Sequence, residues 1–203
     1  MTKIKICGLM TSADAQLVSQ AGVDYAGVVF AEGRHQVDEA AAKLIRRELS
    51  DEIPLVGVFT DSPVEEIIDL YKKEIIQIAQ LHGPRNQEEV STLKEVGIPT
   101  IGVALGDDLE EQLAAYTGVG YLMVDSGKGS GKTLDWQMLP KNFEEPIFLA
   151  GGLRRDNLKE AIETVQPYAV DISSGSETNG KKDLEKIKQL VAIAHQKGVY
   201  DDK

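Results

Sequence analysis

The chain has 203 residues, a formal charge of −11 and a single cysteine. The acidic balance disfavours a nucleic-acid or anionic-membrane partner, which would select a basic patch. One cysteine excludes an internal disulfide and suits a reducing, cytoplasmic setting.

Short apolar runs alternate with polar, helix-periodic stretches from the first residues onward. Strands are predicted at KIKIC (3–7), YAGVVF (25–30), LVGVF (55–59), IIQIAQL (75–81), TIGVAL (100–105), YLMVD (121–125), IFLAG (147–151) and AVDIS (169–173). Helices are expected between them, over 12–22, 37–49, 62–74, 86–97, 107–118, 154–165 and 182–198, with Thr11 or Ser12 as a first cap and Gly22, Gly97 and Gly198 as stops. After YLMVD the pattern changes to SGKGSGKTLDWQML, a glycine-rich loop with a short helical piece. Continuous apolar strands alternating with amphipathic helices imply parallel pairing under helical cover. Eight such units fit one (β/α)₈ barrel domain over residues 1–203, an α/β fold, with a doubly wound open sheet as the runner-up. No segment reads as a signal peptide, no apolar run approaches the ~20 residues of a membrane helix, and VYDDK reads as a frayed tail.

A barrel places its chemistry where strands end and loops begin. That filter selects Cys7, the segment GRHQ, Asp61, Gln80 through Gly83, Asp125, Gly151-Gly152 and Asp171 through Gly175. LAGGL and DISSGSE end strands seven and eight, where glycine and serine let backbone N–H groups approach a phosphate; ordinary turns use the same residues. SGKGSGK lacks the G-x-x-x-x-G-K-[ST] spacing by one residue, so a mobile lid is a better reading than a nucleotide cradle. Asp125 ends an apolar strand, where a shielded carboxyl can deliver a proton near neutral pH, although a loop cap has the same appearance. A lone cysteine in a strand is ordinarily a small hydrophobe. Strands one and six, however, are expected on opposite sides of the ring, which would put a thiolate base and a carboxylic acid on two sides of one substrate.

KICGLM, GVVFAEGRHQV, LVGVFTD, AQLHG, VDSGKGSGKTLDW, LAGGL and AVDISSGSE…GKKD occur in that order. Together they resemble the phosphoribosylanthranilate isomerase family of tryptophan biosynthesis, nearly from end to end. The resemblance implies a (β/α)₈ barrel that converts N-(5-phospho-β-D-ribosyl)anthranilate to 1-(2-carboxyphenylamino)-1-deoxy-D-ribulose 5-phosphate. The reaction is an Amadori rearrangement that needs no metal or organic cofactor. Matched by position, Cys7 is the general base, Asp125 the general acid, and Asp171 the aspartate near the substrate amine. Gly151, Gly152, Ser173, Ser174 and Gly175 match the phosphate-holding segments, and Gln80 and His82 join Asp171 as candidate substrate contacts. The chain departs from the family at GRHQV: Gly33 stands where serine is expected and His35 where an arginine grips the anthranilate carboxylate. Either Arg34 reaches round to that carboxylate or a protonated His35 substitutes, and Arg34 is expected to matter more at pH 8. The family's GGTG after strand six is altered to end in Gly129-Ser130-Gly131, a mild change because serine keeps the hydroxyl.

Competing readings are a histidine-pathway aminoaldose isomerase, an indole-glycerol-phosphate synthase, or an idle phosphosugar-binding protein. The first is expected to carry paired aspartates on strands one and five, yet strand one ends in Cys7 and TIGVAL has no acid. The second wants lysines at strand tips, and strand one offers only Lys3 and Lys5, at its start. The third has only the change at position 35 behind it. The expected partner is therefore a phosphosugar-anthranilate small molecule, for a protein that is a monomer or homodimer.

Overall fold

Residues 1–83, 85–105, 109, 112, 116, 118, 120–125, 136–139 and 144–196 are described by a computed structural model of the chain. Its strands are β1 (Lys3–Cys7), β2 (Tyr25–Val29), β3 (Leu55–Phe59), β4 (Ile78–Leu81), β5 (Thr100–Leu105), β6 (Tyr121–Asp125), β7 (Ile147–Ala150) and β8 (Ala169–Ile172). All eight pair in parallel, in chain order. The ring closes where β1 meets β8, from Lys3 opposite Ala169 to Ile6 opposite Ile172. The barrel expectation is thus met and the open sheet is not.

Side-chain alternation along each strand divides the apolar residues into two layers. Tyr25, Val56, Ile78, Ile101, Val103, Met123, Phe148 and Ala169 fill the lumen. Ile4, Ile6, Ala26, Val28, Leu149, Val170 and their outward-facing counterparts pack under the helices. Each such burial contributes roughly 1.5–3 kcal/mol before the entropy of ordering is counted, so both layers are needed to hold the ring closed.

Among the described residues the outer layer is formed by α1 (Ser12–Ala21), α2 (Glu39–Glu48), α3 (Val64–Lys72), α4 (Gln87–Val96), α5 (Arg155–Val165) and α6 (Leu184–Ala194). Thr11 caps α1 through a capping box with Asp14, and Gly22 and Gly97 end α1 and α4 in the left-handed region at φ +74° and +84°. After β8 come a 3₁₀ turn at Ser174–Ser176 and a hairpin of β9 (Glu177–Thr178) and β10 (Lys181–Lys182). Among the described residues no helix is long and apolar enough to cross a membrane.

The fourth strand begins at Ile78, not at residue 75. Glu74 turns into the left-handed region at φ 59°, and the N–H groups of Ile75 and Ile76 donate to the Leu70 carbonyl. Those two isoleucines are buried as the plug of a helix-to-strand turn, so an apolar run extends beyond the ladder it precedes. SGKGSGK, the GSG positions 129–131, VYDDK and Gly198 lie outside the described residues, as does most of the helix expected over 107–118.

Candidate active site

The sequence KIKIC sends Ile4 and Ile6 outward and Lys3, Lys5 and Cys7 into the lumen. At the tip, Gly8 takes φ +79° and the N–H groups of Gly8 and Leu9 both donate to the Gly27 carbonyl at 2.9 Å. The backbone therefore bends away and leaves the sulfur on the lumen side, 8% exposed. Glycine at position 27 of β2 makes the room: a Cβ there would stand 2.9 Å from Cys7 Sγ and 3.1 Å from Lys5 Nζ. Lys5 is fully buried and its ammonium donates to Asp171 Oδ1 at 3.0 Å. Thiol, ammonium and carboxylate thus share one small space just below the mouth.

Burial pushes the Cys7 thiol up; the Lys5 charge pulls it back, Asp171 opposes that pull, and Lys182 adds a weaker one, with the sum above the ordinary thiol value. Burial also works against the Lys5 ammonium, but the charges of Asp171 and Cys7 outweigh it and hold Lys5 above its ordinary value. The lysine accordingly stays cationic although its own side chain has no solvent contact.

Above this group the 177–182 hairpin folds over the ends of β1 and β8. Lys182, buried, donates to the Cys7 carbonyl at 2.6 Å, the Ser173 carbonyl at 3.3 Å, Ser176 Oγ at 3.2 Å and Glu177 Oε1 at 3.0 Å. Glu177 also accepts from Arg34 at 2.7 Å and bonds the His35 ring at 2.9 Å. Burial raises Glu177, but Lys182, His35 and Arg34 overcome it and hold the carboxyl below the usual range. The two candidates for the carboxylate grip differ in placement. The His35 ring, 18% exposed, stands against Gly8, whereas Arg34 is 57% exposed and lies along Gly180 of the hairpin.

The remaining strand tips sort by face. Gln80 points inward, is 2% exposed and donates to Met123 Sδ at 3.3 Å, while its Oε1 is buried without a partner among the described residues. His82 follows β4 at intermediate depth, anchored through its N–H to the Phe59 carbonyl at 2.7 Å. Asp61 lies exposed beyond β3, bonded to Thr60. Asp125 ends β6 on the lumen face shared with Tyr121 and Met123, half-buried. The ring order corrects its placement: β6 is three strands from β1, through β7 and β8, so Asp125 stands across a chord from Cys7 and not diametrically opposite. Gly151 and Gly152 turn the chain after β7 at φ +94° and +65°. A Cβ on Gly175 would strike the Leu153 carbonyl, so the turns after β7 and β8 press directly on one another. Two strand ends read separately in the sequence thus form one continuous glycine- and serine-lined rim.

A family model for N-(5′-phosphoribosyl)anthranilate (PRA) isomerase matches residues 4–193. The chain belongs to that family. A relative from Lacticaseibacillus casei, named N-(5′-phosphoribosyl)anthranilate isomerase, is 44% identical over 203 residues, covering 100% of this chain and 99% of its own. The Thermotoga maritima phosphoribosyl anthranilate isomerase structure superimposes with a TM-score of 0.87 at 31% identity, covering 97% of this chain and all of that one. A further phosphoribosyl anthranilate isomerase structure, in complex with reduced 1-(o-carboxyphenylamino)-1-deoxyribulose 5-phosphate, matches with a TM-score of 0.85 at 30% identity over the same shares.

In this member of the PRA isomerase family, sequence reasoning missed three residues around the candidate base. Lys5 was legible: it shares the lumen face with Cys7 by simple alternation, but reads as a strand start. Lys182 lies in the GKKD segment already singled out. Glu177 carried no local signal, because its partners Arg34 and His35 come from the loop after β2.

Proposed function

We propose that this chain isomerises N-(5-phospho-β-D-ribosyl)anthranilate to 1-(2-carboxyphenylamino)-1-deoxy-D-ribulose 5-phosphate in tryptophan biosynthesis, in the cytoplasm, with Cys7 as base and Asp125 as acid. The observation that carries the residue roles is a lone buried thiol beside a buried ammonium, on the lumen face that Asp125 also uses. Asp125 gives a proton to the ribose ring oxygen as the C1′–O bond breaks, and the nitrogen lone pair forms the Schiff base. The Cys7 thiolate then takes the C2′ proton; the C–H pair becomes the C1′–C2′ double bond and the iminium pair returns to nitrogen. The enolamine tautomerises to the ketone. General acid–base groups of this kind each supply roughly 10²–10⁴-fold.

The merged rim of Gly151, Gly152 and Ser173–Gly175 is proposed to hold the phosphate through backbone donors. Asp171 faces the amine with one oxygen held by Lys5. Gln80, with its buried free acceptor, and His82 line the opposite strand. Placement favours His35 over Arg34 for the anthranilate carboxylate, since its ring stands beside Gly8 while the Arg34 guanidinium points along the hairpin. A product assay on the purified protein, with the labile substrate generated in situ, tests the reading. Formation of the deoxyribulose product supports it, and absence of turnover by protein that melts cooperatively refutes it.

A further inference from the structure

Resting on the reading of Cys7 as the base, we propose that Lys5 is a positioning residue that sets the thiolate population of Cys7, with Asp171 as an opposing charge that moderates it. Between Lys3 at the floor and the acids at the mouth, the lumen is mostly apolar. Tyr25, Ile78, Met123 and Phe148 line it with largely apolar side chains. An ammonium with no solvent contact there is not explained by stability, because replacing a buried ion pair by well-packed apolar groups is often neutral or stabilising.

The titratable and charged groups on the segments around Cys7 come from five places in the barrel. Lys5 on β1 shares the Gly27 space with Sγ, and Asp171 on β8 accepts from Lys5 at 3.0 Å. Lys182 on β10 also carries positive charge, but its ammonium is engaged by the Cys7 and Ser173 carbonyls, Ser176 and Glu177. His35, after β2, turns its Nε2 to Glu177, and Asp125 ends β6 three strands away. Among the described residues Lys5 is therefore the cation that meets the sulfur itself. The directions of the pulls on the thiol agree: Lys5 is the largest charge lowering it and Asp171 the largest charge raising it.

The chain has one cysteine, so the ultraviolet thiolate band, read against a Cys7→Ala blank, follows this sulfur alone. Lys5→Met should move the thiolate midpoint up by about one pH unit. Asp171→Asn should move it down. The acid limb of kcat/KM for Lys5→Met should shift to higher pH in step, and Lys5→Arg should restore it. A role confined to packing would lower activity at every pH without displacing the limb. Should Lys5→Met alone fail to fold, the charge-neutral pair Lys5→Met with Asp171→Asn is compared with Asp171→Asn: a higher midpoint in the double variant supports the proposal and an equal one overturns it. Equal midpoints in parent and Lys5→Met, or shifts of both single variants in one direction, also overturn it. The readout is independent of the base assignment. Full turnover in Cys7→Ala would refute the base while leaving the measured coupling, whereas an inactive Cys7→Ala with unmoved midpoints refutes the role of Lys5 alone.

Discussion

Lys3 and Lys5 lie two residues apart on the same strand and the same face, yet the barrel puts them to opposite uses. Lys3, at the floor, lies 5.6 Å from the Tyr25 ring and 5.0 Å from the Tyr168 ring, whose hydroxyls bond each other at 2.9 Å. Its charge rests on aromatic faces at the barrel end where residues serve stability. Lys5, one lumen layer up, has lost all solvent and is balanced by Asp171 beside a thiol. A residue type says little by itself; its height in the lumen decides whether its charge closes the fold or tunes a reactive group.

The sharpest way to break this contrast is at the mouth. Asp125→Asn should lower kcat by roughly 10²–10⁴-fold with little change in KM, measured by steady-state product formation. Next in size is pH. Burial holds the Cys7 thiol above its ordinary value, so the reactive thiolate is scarce at low pH and kcat/KM should rise with pH until the thiol has ionised, a limb absent in Cys7→Ala. His35→Ala should raise KM more than Arg34→Ala; the reverse order in the same assay would return the carboxylate to the guanidinium. Glu177 is held below its ordinary 4.5, so its contribution to stability is complete above that value and lost as pH falls through the folded value. The melting temperatures of parent and Glu177→Gln should therefore differ at neutral pH and converge in acid. Smallest is the floor: Lys3→Met should leave kcat unchanged and cost about 0.5–1 kcal/mol, a few degrees in Tm.

Much of the fold was legible because a parallel barrel writes itself locally. KIKIC, LVGVF and TIGVAL mark their strands to the residue, and Gly22 and Gly97 mark helix ends through the left-handed turn they permit. The misplaced start of β4 came from Ile75 and Ile76, whose hydrophobicity serves a turn. For the site, position at strand ends singled out Cys7 and Asp125, and the glycines after β7 and β8 announced close backbone approach. What stayed hidden depends on closure. Lys5 meets Asp171 only because β8 returns beside β1, and Glu177 joins its hairpin neighbour Lys182 to Arg34 and His35, which lie far away in the chain. No local pattern encodes those meetings. The substitution of His35 was visible, but its support by Glu177 was not.

The most direct measurement is kcat of Cys7→Ala against the parent, in protein shown by its melting curve to be folded. The account predicts a fall of roughly 10²–10⁴-fold with KM nearly unchanged. Turnover within a few-fold of the parent would show that another group takes the C2′ proton.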